Sequence, residues 1–428
     1  MMYLKYVKYY YISLTVFALI SPVTLGFIDF LPALVLMWMV YFIFSITIRR
    51  NMNKTLLDVK PRILEKYSYS KVSIIIMLYA IVFVPLYIKF YTGANLVSSI
   101  ASFLSFNALG SESTYGSYQT YFEDANLKEF TVAKLPYILG SGVLKFLYWG
   151  LFIRTLAFKR RATFIEYLSV FTVTILYVFS GMARGTSFEN FEIIMLVIFT
   201  VLVREKLINN RNWFGSKAQY LIAIFLLLGG FYFMFSKSLR STGDILVVER
   251  VTNEMVYNPD ALISVYAQKL SLALHGFNGY FLFGIYFSGV AISTIWFSSF
   301  KGFISILIPK GAYLFGIGES YNEIICSKVI DCGAAWSPDV TKLVDNLGLI
   351  LFICLIVIIA KLSLRFYNRM LKGSILSTVL LYVIVLFFFS LPVGNFVSAS
   401  SSIIIAIVLS ILVNNLKALK GINKYFNN

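Results

Sequence analysis

The sequence predicts an all-α, polytopic membrane protein: a single integral domain, residues 1–428, with about 10–12 transmembrane helices and one long external loop. The first observation behind this is composition. Hydrophobic residues make up 59% of the chain and charged residues 13%, against roughly 45–50% and about 25% in soluble domains. The second is patterning, since the apolar residues fall in runs near the ~20 residues that cross a bilayer. The third is where the charge lies.

Spanning runs fall at 8–25, 29–48, 72–91, 135–157, 163–181, 189–203, 218–235, 346–362, 374–391 and 399–416. The connectors that this arrangement places on one side hold 23 of the 37 Lys and Arg and four of the 20 acids. That is a net +19, and it leaves the rest of the chain at −2. The positive-inside rule then sets those connectors and both termini in the cytoplasm. The overall +17 is a topology signal, and no nucleic-acid partner follows from it.

The chain starts MMYLKYVKYYYISLTVFALISP, a basic flank and an apolar run. It lacks a small-residue cleavage site and a second apolar run follows at once, which predicts an uncleaved anchor helix. Pro22 and Pro32 bracket a short outer turn, and 49–71 is a cytoplasmic connector. Residues 92–134 form a first external loop, Ser/Tyr-rich and net acidic, with an interfacial helix near 96–106.

The fourth run, PYILGSGVLKFLYWGLFIRTLAF, puts Lys145 inside the bilayer. Such a charge is costly and marks a functional site, unless the side chain snorkels to the outer surface. Arg154, near the inner end, reads as an anchor. SGMARGTSFENFEI then joins the fifth and sixth runs as a tight outer turn. Ser187 is a candidate cap for the sixth helix, with Glu189 in its first turn. Arg184 stands beside that helix N-terminus at the outer surface, suited to an anion or to lipid headgroups.

Residues 236–346 form the long external loop. Arg240 and Arg250 flank STGDILVVE, and ALISVYAQKLSLAL has apolar residues at helical spacing. HGFNGYFLFGIYFSGVAISTIWFSSF is apolar enough to span, but its return segment, FISILIPKGAYLFGIG, is short and broken by Pro309 and three glycines. A re-entrant or surface-lying pair is expected, its irregular backbone lining a cavity. Cys354 reads as packing. Cys326 and Cys332 both fall in this loop, bridged or free.

Four stretches together resemble a family. FSGMARGTSFENFEI is similar to the Asn-Arg-Gly turn and acidic helix of bacterial O-antigen polymerases (Wzy). LALHGFNGYFLFGIYFSG resembles their external Gly-aromatic-aromatic-Gly stretch. WSPDVTKLVDNLGLIL resembles their Trp-Ser/Thr segment leading to an Asp and a Gly at the top of a helix. LPVGNFVSAS is similar to their Pro-x-Asn-Asn turn. The chain departs from the pattern in three places: Ala183 precedes Arg184 instead of asparagine, His275 stands where many relatives have glutamine, and Asn395 alone remains of the two asparagines.

The resemblance implies a metal-independent, cofactor-free, GT-C-like glycosyltransferase at the outer face of the bacterial inner membrane. Such an enzyme joins oligosaccharide repeat units carried on undecaprenyl diphosphate, passing the growing chain to the non-reducing end of an incoming unit. A chain-length regulator is a further partner. Arg184, Asp345 and Asn395 carry over as site residues.

That reaction expels a diphosphate and needs fixed cations where charge develops. Arginine's planar fork suits phosphate oxygens, so Arg184, Arg240, Arg250 and Lys145 are the candidates for diphosphate binding. A single histidine and dispersed acids make no metal-ligand set. The base candidates are His275, whose ordinary pKa suits proton transfer, and Asp345. The structural alternatives are a packed histidine and an Asp345 that caps the following helix. A flippase for the same lipid-linked sugar, with a polar cavity inside the bilayer, and an O-antigen ligase are the competing functions. A ligase would show a second histidine where HGFN has Phe277.

Overall fold

The computed structural model describes residues 1–55, 69–98, 131–159, 161–184, 188–211, 255–296, 300–307, 338–394 and 400–419, with scattered residues between these ranges. Among them the regular structure is helical, apart from one antiparallel bridge between Val23 and Tyr257.

Helix α1 (Met2–Ile20) buries Tyr3, Val7, Tyr11, Leu14 and Ala18, a stripe at the three-to-four-residue spacing of one helix face. Its tyrosines tie it to the C-terminal helices. The Tyr3 hydroxyl meets Ser363 Oγ at 2.9 Å, and the Tyr11 hydroxyl donates to the Phe388 carbonyl at 3.0 Å. The predicted anchor is thus an integral part of the helical core.

Next come α2 (Phe27–Thr55), α3 (Ser70–Thr92) and α4 (Leu135–Ile153), whose last turn widens into a π-turn over Arg154–Phe158. α3 stops where Gly93, at φ 69°, donates its N–H to the Lys89 carbonyl, a left-handed cap that glycine adopts without strain. α5 (Phe164–Ala183) starts with a capping box between Thr163 and Glu166, which satisfies two otherwise orphaned N–H groups. α6 (Phe188–Asn209) follows after the short turn that carries Arg184.

The described part of the long loop holds α7 (Leu262–Tyr266), α8 (Gln268–Phe281), α9 (Phe283–Val290), which runs on as a π-turn over Ala291–Trp296, and α10 (Phe300–Leu307). α9 with its π-turn reaches only about 20 Å at ~1.5 Å per residue, short of the roughly 30 Å hydrocarbon core. Its residues are nonetheless buried. Two glycines allow its close approach. A Cβ on Gly284 would meet the Pro392 and Val393 carbonyls at 2.7 Å, and one on Gly289 would meet the Asp29 carbonyl at 2.5 Å.

The chain continues with α11 (Asp339–Leu371), α12 (Ile375–Ser390) and α13 (Ser401–Leu419). α11 begins seven residues before the expected run and is broken at Gly348, at φ 72° and ψ 156°. α6 and α12 are buried on nearly all sides and run through the core. Exposed apolar residues lie on the outer helices, among them Val16 on α1, Val35 on α2, Ile75 and Val82 on α3, Phe171 on α5, Ile350 on α11 and Val408 on α13.

Among the described residues, five helical stretches are long and apolar enough to cross a membrane: Phe27–Met52, Ser70–Thr92, Val132–Phe158, Phe164–Ala183 and Asp339–Leu371. α12 and α13 are apolar but shorter. The architecture is that of an all-α membrane protein. Most of the seventh expected run and of the 96–106 helix lies outside the described residues.

Candidate functional site

Lys145 sits mid-way along α4, about 15 Å from Leu135 at ~1.5 Å per residue. It is 5% exposed, so it does not snorkel. An ammonium at that depth needs a counter-charge, because its desolvation otherwise costs several kcal/mol. α6 supplies it. Glu189 and Glu192 are three residues apart and so share one helix face. Lys145 Nζ donates to Glu192 Oε2 and to the Tyr177 hydroxyl, each at 2.5 Å.

The Glu192 carboxylate accepts two further bonds, from Trp149 Nε1 at 2.8 Å and from the Tyr177 hydroxyl at 2.8 Å. Tyr382 of α12 donates to the Glu192 backbone carbonyl at 3.0 Å. The ammonium also lies 5.0 Å from the Phe188 ring centroid and 5.1 Å from that of Tyr177, within the range of cation–π attraction. One ion pair thus joins α4, α5 and α6 at the centre of the fold.

Arg184 closes α5 one layer above. Its Nε donates to the Ser180 carbonyl at 3.2 Å, its Nη2 pairs with Glu189, and its guanidinium carbon lies 5.5 Å from the Tyr87 ring of α3. The side chain is 18% exposed. It is a partly buried, paired cation. Gly181 makes room for the pair, since a Cβ there would meet Glu189 Oε2 at 2.7 Å.

Lys145, Tyr177, Arg184 and Glu189 line one cavity of about 100 Å³. Besides Tyr177, the wall holds Tyr87 of α3, Lys145 of α4, Arg184 at the C-cap of α5, Glu189 of α6, Ser400 just before α13 and Ser402 in its first turn. Two residues singled out from sequence, Lys145 and Arg184, are therefore brought together. The other candidates are placed elsewhere or lie outside the described residues. His275 is fully buried in α8, with Nδ1 3.4 Å from Asn278 Nδ2 and its ring edge-on to Tyr257 at 5.4 Å. Asp345 is buried in α11, three residues before the break at Gly348, and so lies inside a helix rather than at the start of one. Neither lines the cavity. Arg240, Arg250, Asn395, Cys326 and Cys332 lie outside the described residues.

Sequence reasoning passed over Asp339, which joins two of the motifs. Its carboxylate accepts from Ser390 Oγ at 2.8 Å, from the Val397 N–H at 3.3 Å and from the Ser398 N–H at 3.2 Å, and from the Ser398 hydroxyl. Its own N–H donates to the Gly394 carbonyl at 2.7 Å. WSPDV is thereby fastened to LPVGNFVSAS. The available signal was the Ser-Pro-Asp order, with proline holding the residue at the helix start.

A second charged cluster stands at the opposite end of α4. Lys159 pairs with Glu166 at 2.5 Å, and Glu166 also accepts from the Tyr69 N–H at 3.1 Å. Arg204 donates to the Leu156 carbonyl at 2.5 Å, filling one acceptor freed where the helix ends.

Comparison with protein-family models, with curated proteins and with solved structures gives no match to this chain.

Proposed function

We propose that the protein is a GT-C-like membrane glycosyltransferase that joins oligosaccharide repeat units carried on undecaprenyl diphosphate at the outer face of the bacterial inner membrane. On this reading both termini are cytoplasmic and a chain-length regulator is a partner. The resemblance to O-antigen polymerases motivates the proposal. The observation that carries it is the convergence of Arg184 and Lys145 on one cavity.

The chemistry suits those residues. As the sugar–phosphate bond breaks, charge builds on the diphosphate, and preorganised cations act where charge develops. Glu189 holds the Arg184 guanidinium in place before substrate arrives. Glu192, Trp149 and Tyr177 do the same for Lys145. At about 100 Å³ the cavity falls below the ~300–1,000 Å³ of pockets that enclose a whole ligand. It takes the diphosphate end, and the sugars extend outward.

A flippase is the second reading, because a polar cavity between helices is what such a protein needs. A strain lacking the protein separates the two. Loss of a polymerase leaves single repeat units exported to the cell surface. Loss of a flippase leaves lipid-linked units on the cytoplasmic side. We expect single repeats at the surface, and a full polymer ladder in the deletion strain would contradict the proposal.

A further inference from the structure

The cavity holds an acid whose part in the chemistry goes beyond positioning Arg184. Glu189 lies in the first turn of α6, 4% exposed, against the cavity. Charged and titratable groups face it from each neighbouring helix: Arg184 and Tyr177 from α5, Lys145 from α4 and Tyr87 from α3. Glu192 lies one turn deeper on its own helix, and the start of α13 adds only serines to the wall. Glu192 is consumed by Lys145, Trp149 and Tyr177 and does not line the cavity. Glu189 does line it.

We propose that Glu189 is the general base of the transfer, held by Arg184 until the donor's diphosphate takes over that guanidinium. The inference rests on the glycosyl-transfer reading above. A diphosphate brings more charge than one carboxylate, together with oxygens matched to the guanidinium fork. It therefore displaces Glu189 from Arg184 and leaves the carboxylate beside the bond to be made. The base then acts only when a donor is in place.

The step balances as follows. The acceptor hydroxyl oxygen attacks C1 of the donor sugar while Glu189 takes the hydroxyl proton. The bond from C1 to the diphosphate oxygen breaks, and its electron pair leaves with the lipid diphosphate, whose added charge falls on Arg184 and Lys145. Glu189 later releases its proton to water.

The test uses the full chain in lipid nanodiscs with two probes. Binding is read with undecaprenyl diphosphate, and turnover with lipid-linked repeat units extracted from a deletion strain. Glu189→Gln should lower turnover about 100-fold, the scale of losing a positioned base. It should bind undecaprenyl diphosphate as well as wild type or better, because a competitor for Arg184 is gone. Glu189→Asp should restore part of the turnover. Gly181→Ala, which pushes on the carboxylate without changing charge, should lower turnover and leave binding intact. Near-normal turnover by Glu189→Gln would overturn the inference alone, as would a joint loss of binding and turnover. Absence of polymer from the wild type would overturn the glycosyl-transfer reading, and the inference with it.

Discussion

Lys145 Nζ and Glu192 Oε2 lie 2.5 Å apart, with side chains 6% and 1% exposed, and join α4 to α6 inside the helical core. The pair fixes the floor of the cavity. Removing one partner strands the other charge, at a cost of about 3–5 kcal/mol for a buried pair. Lys145→Met should therefore lower the melting temperature in detergent sharply, and Lys145→Met with Glu192→Leu should recover much of it. A single variant that melts like wild type would show that the pair carries no structural weight.

The Asp339 carboxylate should behave as a structural pin. Asp339→Ala leaves the N–H groups of Val397 and Ser398 and two hydroxyls without their acceptor, at about 1–3 kcal/mol for each group that stays dry. Asp339→Asn keeps one acceptor oxygen and should be the milder change. Thermal unfolding of the two variants checks the order, and equal stability would argue against the pin.

Two glycines on α4 should respond in opposite ways. A Cβ on Gly142 would lie 2.4 Å from Ile405 Cγ2 and 3.2 Å from the Ser402 carbonyl. Gly142→Ala should thus push α13 away and cost about 1–3 kcal/mol, as overpacking does. A Cβ on Gly150 meets nothing within 4 Å, so Gly150→Ala should be neutral or slightly stabilising. Matched melting curves decide it, and a stability loss at Gly150 as large as that at Gly142 would contradict the packing.

The charge asymmetry of the sequence predicts sidedness. A reporter fused near Glu254 or Ser337 should read as external, and one at either terminus as cytoplasmic. A cytoplasmic signal near Glu254 would invert the topology and move Arg184 to the wrong face for this reaction.

Much of the fold was legible because a bilayer demands long apolar helices. α2 to α5 begin and end within a few residues of the expected runs, apart from the C-terminal extension of α2 to Thr55. α11 was read late because Asp339, Lys342 and Asp345 make its first turns look like a solvated loop, whereas Asp339 and Asp345 are buried by tertiary contacts. In the site, Lys145 stood out as a charge at unusual depth, and Arg184 as a guanidinium beside a helix N-terminus at the outer surface. Glu192 did not, because an acid near a helix N-terminus has an ordinary explanation in the helix dipole. Reading Lys145 as a charge in need of a partner would have pointed to Glu189 and Glu192 on one face of the next helix but one. The distance from His275 and Asp345 to that cavity is a matter of tertiary packing, which no local pattern encodes.

In the proposed function, Arg184 holds the diphosphate of a lipid-linked sugar. Its pairing with Glu189 makes Arg184→Ala a stability change as well as a functional one, so Arg184→Lys is the cleaner probe. Lysine keeps the charge that Glu189 requires but loses the planar fork. The measurement is the repeat-unit ladder of cells expressing equal amounts of wild type and Arg184→Lys. The ladder should collapse toward single repeats, and a full-length ladder from Arg184→Lys would show that the guanidinium does not hold the diphosphate.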